Sequence, residues 1–347
     1  MTATRILLIE TLDAAGAAAH DARTRARALH AAGFEARCAI VESDRSDALH
    51  AARAPADALV VSANAAGRTA LRGWVAASQA GAALVASALP GGGAPGRWLA
   101  GAGTRAWWWP TGLAAAGGGE AAVRSGALPV LPGVGPDGGA GAPWPDACAG
   151  LEASVLADAR VSRGQLPLWD GDYVLAPLPL SGAAGLAALD SFAALCGAHD
   201  GLDLVVLADP QPAFERLARE RGIGFRVHFA GAATRDAELA WLSGASAALI
   251  AGDAPLSGGL VLRALARGCP VLAAPRAASA APLEAWLAAR GIGFGAPRTP
   301  LAARCARALT PDDAWPTRVA AALALHSIEA VGGRLAHALD PRRRHAA

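Results

Sequence analysis

Lysine is missing from all 347 residues, so every one of the 31 cationic Lys/Arg side chains is an arginine. That absence removes Schiff-base chemistry, a pyridoxal-phosphate anchor, the P-loop lysine and a Ser-Lys nucleophile pair. Charge is scarce as well, at 17% of residues, and nearly balanced: 31 arginines against 29 acids leave a formal net charge of +2. Binding to nucleic acid or to an anionic membrane surface needs basic residues clustered in excess, so neither is expected. Long apolar runs are lacking despite a mean hydropathy of +0.31. The longest charge-free stretch, between Arg72 and Arg97, contains Ser78, Gln79, Pro90 and the run Gly91-Gly92-Gly93, whereas a spanning helix needs about 20 mostly apolar residues without such breaks. The opening MTATRILLIE has only a short apolar run before Glu10, too little for a signal-peptide core, so a cytoplasmic protein is expected. Cys38, Cys148, Cys196, Cys269 and Cys305 form no C-x-x-C pair; they read as small buried hydrophobes in a reducing compartment.

What is present is a chain that is 53% hydrophobic and long enough for roughly two conventional cores. The apolar run Arg5 to Glu10, helix-forming Ala17 to Ala32 with Gly33 as a stop, and the strand-like Glu35 to Val41 make a βαβ opening. Runs at Ala58–Ser62, Ala83–Ala86 and Ala106–Trp109, with a helical pattern over Ala66–Ala80, continue the alternation. From Gly117 to about Pro167 the pattern degrades into glycine, proline and alanine, with one helical segment at Gly150–Arg160, the composition of a linker. Alternation restarts at YVLAPL. It runs through a helix Gly185–His199, strand LDLVVLA, helix Pro212–Arg221, strand FRVHFAG, helix Asp236–Ser243, strand SAALIA, helix Gly259–Arg267 and strand PVLAA. Strands alternating with helices predict parallel sheets covered on both faces. The expected organisation is a first Rossmann-like domain over 1–125, a linker over 126–170, a second Rossmann-like domain over 171–315, and a C-terminal helix with a basic tail over 316–347. The C-terminal helix is expected over Thr317–Leu339.

The segment FERLARERGIGFRVHFAGAATRDAELAWLSGASAALIAGDAPLSGGLVLRALARGCPVLAAP resembles the carboxy-terminal domain of the retaining, nucleotide-sugar-dependent group 1 glycosyltransferases. The features that carry the resemblance are the strand RVHFAG, the helix DAELAWLSGASAALI and the closing ALARGCPVLAAP, in order between Tyr173 and Pro275. The amino-terminal run RILLIETLDAAGAAAHDARTRARALHAAGFEARCAIV has the family's opening rhythm, with Gly16 and Ala17 at its usual glycine pair. The resemblance implies two doubly wound α/β domains of the GT-B architecture, the first (1–125) on the acceptor side and the second (171–315) on the nucleotide-sugar side, with the C-terminal crossover helix Thr317–Leu339 packing back on the first domain. It implies a nucleotide-diphosphate sugar as donor, an acceptor and no further cofactor. It also implies functional groups that this chain replaces. The family's two glutamates fall on Pro255 and Arg263, and its diphosphate-binding arginine and lysine on Pro179 and Ala184. The resemblance therefore supports two readings: a sugar transferase with degenerate motifs, and an inactive relative serving as a binding or scaffolding subunit with a protein partner. A sugar-nucleotide epimerase on the same fold would also need acid and base groups in the cleft, for which no residues stand out.

Ser257, Gly258 and Gly259 precede an apolar helix beginning at Leu260; such a turn either offers its N–H groups to phosphate or is simply tight. Arg263 reads as a substitute cation or as one half of an ordinary salt bridge. Asp253 stands at a carboxyl strand end, as a ligand-site acid or a cap, and His20 opens the first helix near Gly16; these two are the candidates for catalysis. His228, within RVHFAG, reads as structural. Trp107-Trp108-Trp109 cannot all face one side of a strand, so the triplet serves either acceptor stacking or packing beneath the linker. Asp170 and Asp172 flank Gly171 without further ligands, and no bound metal is expected. The tail Pro341–His345 reads as solvated.

Overall fold

The computed structural model describes residues 4–12, 25–42, 58–62, 64–85, 99, 103–104, 106–108, 112–113, 171–233, 235–252, 256–277, 280–295 and 299–339. The chain divides into two compact units: Met1–Gly112 and Ala116–Gly150 together with Ala324–Ala347, and Leu113–Ala115 together with Leu151–Leu323. The expected linker 126–170 and its helix lie outside the described residues.

The first unit holds β1 (Arg5–Leu12), β2 (Glu35–Glu42), β3 (Leu59–Ser62), β4 (Ala82–Val85) and β5 (Ala106–Trp108). They form one sheet in the order β3-β2-β1-β4-β5, parallel throughout. Alternation along β1 feeds two cores, as the period of a strand requires. Ile6 and Leu8 join Ala28 and Leu29 of helix α1 (25–31). Leu7 and Ile9 join Leu71 and Val75 of α2 (Ala65–Ala77). Asn64 caps α2 by accepting from Gly67 N at 2.9 Å, which starts this helix slightly earlier than the apolar pattern predicts; it ends earlier too, at Ala77 with Ser78 as its C-cap.

The second unit holds β7 (Tyr173–Ala176), β8 (Asp203–Val206), β9 (Val227–Phe229), β10 (Ala247–Ile250) and β12 (Val271–Ala273). These run parallel in the order β12-β10-β7-β8-β9. Two-residue strands β6 (Gly112–Leu113) and β11 (Leu256–Ser257) lie outside the large sheets. The connecting helices are α3 (Gly182–Cys196), α4 (Pro212–Glu220), α5 (Arg235–Gly244), α6 (Gly258–Ala266), α7 (Ala280–Ala289) and α8 (Leu301–Leu309). Every residue of β7 and β10 is buried, because parallel strands are covered on both faces. On one face Val174, Leu204 and Leu249 pack with Leu189 and Phe192 of α3 and Cys305 of α8. On the other, Tyr173 donates its hydroxyl to Trp241 O at 2.6 Å and meets that ring edge-on.

Three expectations are revised. FRVHFAG is a strand only over Val227–Phe229: Arg226 N bonds Ile223 O at 2.9 Å and closes Gly224–Arg226 into a 3₁₀ turn. The helix expected from Gly185 begins at Gly182, because Gly185 N already reaches Ser181 O at 2.8 Å. The C-terminal helix is two helices, α9 (Trp315–Ala324) and α10 (Ile328–Leu339), with a break between them. Ser327 causes the restart: its Oγ accepts from Ala330 N at 3.1 Å, an N-cap in the middle of an otherwise continuous apolar pattern. Only α10 belongs to the first unit, where Val331, Leu335 and Leu339 complete the core containing Ile6 and Leu8. Among the described residues, no single helix is long and apolar enough to cross a membrane.

Candidate functional site

In each sheet the connections reverse direction at the first strand of its unit: between β1 and β4, and between β7 and β10. In open α/β sheets this reversal leaves a crevice outside the carboxyl ends of the strands, the usual place for a ligand. The segment after β1 carries Gly16 and His20, and both lie outside the described residues. The second switch point is well described. Ser181 N donates to Ala251 O at 3.2 Å, so the loop after β7 is bonded directly to the residue following β10. On the far side, Ala274 N donates to Ile250 O at 2.8 Å, bringing the loop after β12 to the same edge.

Two helices begin just beyond these ends. Gly258 and Gly259 are not in a loop before α6, as the sequence suggests; they are its first residues, with Ser257 ending the extended piece β11. The amides of Gly258, Gly259 and Leu260 therefore occupy the first turn, where N–H groups have no intrahelical acceptor and the helix dipole is positive. Leu260 sends its side chain into the core, 4% exposed. Asp253 and Pro255 lie outside the described residues.

The candidate cations separate clearly. Arg263 is 2% exposed, and its Nε donates to Glu238 Oε1 of α5 at 2.9 Å. Of the two readings left open by the sequence, the salt bridge is what the structure contains, buried within the unit between α5 and α6. Ala184, aligned by resemblance with a phosphate-binding lysine, is fully buried in the α3 core; a long cation there would point inward. Pro179 is exposed in the loop after β7. A residue that the motif comparison overlooks is Arg276, exposed on the loop after β12 and held at φ 69°. Left-handed backbone at a non-glycine residue is costly and gathers at ligand-binding loops. Nothing in the one-dimensional pattern signals it, because the strain is imposed by the turn in which Ala277 N bonds Ala274 O at 3.1 Å. Below that turn Arg304, 3% exposed, ion-pairs with Glu284 of α7 and donates to Ala273 O at 3.1 Å, fixing the end of β12.

A cavity of about 820 Å³ in the second unit runs along edge strand β9 to the loop Ala230–Ala233 at its carboxyl end; Val205, Arg219, His228, Phe229 and Trp241 contribute to its walls. His228 Nε2 lies 3.7 Å from Asp203 Oδ1. A smaller cavity of about 600 Å³ opens at the opposite, amino ends of the strands, beside Asp172, His199 and Ser246. Burial pushes the Cys305 thiol up to about 12 and raises Cys269 further still, while Cys196 is raised by partial burial against the opposing pull of Arg226. Such thiols stay protonated and are poor nucleophiles. Among the described residues no group of His, Cys, Asp and Glu is arranged to hold a metal ion. Trp107 and Trp108 lie on β5, while Trp109 is outside the described residues.

No protein-family model and no curated protein matches the chain. Solved structures do match over its full length. AviGT4, a glycosyltransferase involved in avilamycin A biosynthesis, has a TM-score of 0.56 at 17% identity, covering 99% of this chain and 98% of that one. WaaG, a glycosyltransferase involved in lipopolysaccharide biosynthesis, has a TM-score of 0.54 at 15% identity, covering 97% and 100%. The N-terminal domain of Candida albicans trehalose-6-phosphate phosphatase has a TM-score of 0.62 at 9% identity, covering 97% of each chain. At such identities a likeness establishes fold and not activity. The chain is thus built as two Rossmann-like, doubly wound α/β domains in the GT-B architecture of the glycosyltransferases it matches.

Proposed function

We propose that this chain binds a nucleotide-diphosphate sugar through its second unit and transfers the sugar to an acceptor, in the manner of the retaining group 1 glycosyltransferases. The observation that carries this reading is the switch point between β7 and β10, where loops bonded through Ser181 N and Ala251 O lead into helices α3 and α6. An anion placed there meets the amides of Gly258, Gly259 and Leu260 and the positive end of α6. Arg276 supplies the cation in place of Pro179 and Ala184, and the cavity ending at Ala230–Ala233 takes the nucleoside. Asp253 and His20 are the groups we assign to proton transfer or sugar contact. The donor is a substrate, and the reaction needs neither metal nor a further cofactor.

Calorimetric titration with uridine, guanosine and adenosine diphosphate sugars tests the binding half. One of them should bind, Gly258→Asp should abolish binding by adding charge and bulk among the amides, and Arg276→Ala should weaken it about tenfold, the loss of one exposed charge-assisted contact. No binding in the wild type, or unchanged affinity in Gly258→Asp, overturns the site. Transfer should be slow, at least about 10³-fold below a family member with its charges intact, since preorganised electrostatic groups are each worth about 10²- to 10³-fold. Nucleotide binding with no transfer or hydrolysis would replace the enzyme reading with that of a binding or scaffolding relative.

A further inference from the structure

Gln211, directly before α4 at the carboxyl end of β8, meets the backbone of Leu180 at two points. Leu180 N donates to Gln211 Oε1 at 3.1 Å, and Gln211 Nε2 donates to Leu180 O at 3.0 Å. This is the pairing a neighbouring strand would offer, delivered by one carboxamide to a residue beyond the end of β7. Leu180 is 1% exposed and its side chain lies in the core, so its peptide groups need partners inside the protein. The next amide, Ser181 N, is bonded to Ala251 O on the opposite flank. The loop over 177–181 is therefore gripped by the β8 loop on one side and by the residue after β10 on the other. Immediately after it, Gly182 turns into α3 at φ 52°.

We propose that Gln211 is a positioning residue for the donor site, an inference that rests on the nucleotide-sugar reading above. By holding Leu180 from both its donor and its acceptor, it sets the loop after β7 and the entry of α3 against the α6 turn where the diphosphate sits. A preorganised frame of this kind lowers the cost of ordering the loop when ligand binds. The side-chain chemistry makes the assignment testable. A protonated carboxylic acid has a donor and an acceptor in the same fork as a carboxamide, whereas a carboxylate only accepts. Gln211→Glu is thus a copy of the clamp that works when protonated and opens when ionised. Asp209 and Glu215 are the charged neighbours along the chain, and the facing loop over 177–181 carries none; these acids and partial desolvation favour the protonated form of the new glutamate, while its place as the N-cap of α4 and the Leu180 N–H favour the carboxylate.

The experiment compares wild type, Gln211→Glu and Gln211→Ala by titration with the diphosphate sugar that the wild type binds, from roughly pH 3.5 to pH 8, a range that takes a glutamate from mostly protonated to ionised, with hydrogen exchange of segment 177–185 followed in parallel. Relative to wild type at each pH, Gln211→Glu should bind nearly normally at the acid end and lose at least about tenfold by the alkaline end, while Gln211→Ala is weak throughout. Protection of 177–185 should follow the same curve in Gln211→Glu. Rescue at low pH separates positioning from a general loss of fold, which protonation would not repair. Wild-type affinity in Gln211→Ala, or a flat ratio for Gln211→Glu across the range, overturns the proposal. If no nucleotide binds the wild type, the donor reading falls; exchange then judges the clamp by itself, and unchanged protection of 177–185 in Gln211→Ala refutes it.

Discussion

Arg263 shows how much a single residue's role depends on what lies across from it. Buried at 2% exposure beside Glu238, it is one half of a desolvated ion pair. Removing one partner from such a pair strands the other, at a cost of about 3–5 kcal/mol, whereas replacing both with apolar groups of similar volume is often neutral or better. Arg263→Met should therefore lower unfolding free energy in urea by an amount in that range, and Arg263→Met with Glu238→Leu should regain most of it. Equal losses in the single and double variants would show that packing, not charge pairing, dominates there. The same geometry excludes restoring a family-like glutamate at this position: Arg263→Glu would set two carboxylates together with almost no water.

Among the secondary elements, α2 carries two glycines with opposite consequences. A Cβ on Gly67 would stand 1.9 Å from Ser62 O, so the first turn of the helix lies directly on the end of β3. Gly73, six residues further along the same helix, would meet nothing within 4 Å. Gly67→Ala must push helix from strand and should cost about 1–3 kcal/mol; Gly73→Ala relieves the backbone entropy penalty of an exposed helical glycine and should stabilise by about 0.5–1 kcal/mol. Thermal unfolding of the two variants should move in opposite directions. A shift of the same sign in both would mean that α2 does not sit on Ser62 as described.

The whole chain is not two domains in simple succession, because its last helix returns to the first unit. Val331, Leu335 and Leu339 share a core with Ile6, Leu8 and Leu84, and Gly332 brings α10 close enough that a Cβ there would lie 2.9 Å from Ala28 O of α1. Ending the chain after Ala324 should expose that face of the first sheet. Hydrogen exchange should then lose protection in β1 and β2 while β7 and β10, buried within the second unit, keep theirs. Loss of protection in both sheets at once would mean that the units unfold as one, and no loss in either would mean that α10 is dispensable.

The periodicities of the sequence determined the kinds of element and most of their order, because a strand's period of two and a helix's of 3.6 are written in consecutive residues. Two parallel α/β units were legible for that reason, whereas the GT-B architecture came from the resemblance, and Gly258 and Gly259, read as a turn before α6, are its first residues. Boundaries were less so: the Ser181 carbonyl and the Asn64 and Ser327 side chains start helices by accepting from amides in the first turn, hydrogen bonds that hydrophobic pattern does not record. What only the tertiary structure decided is which residues meet. Arg263 reads equally as a substitute cation or as half of a salt bridge, and it lies beside Glu238; Ala184 aligns with a cation and faces the core; Gln211 stands out in no pattern and holds Leu180. Each of these depends on a partner more than twenty residues away or on the far side of a sheet. Such pairings arise only when strands have chosen their neighbours, a choice made by burial across the whole unit and by no local run of residues.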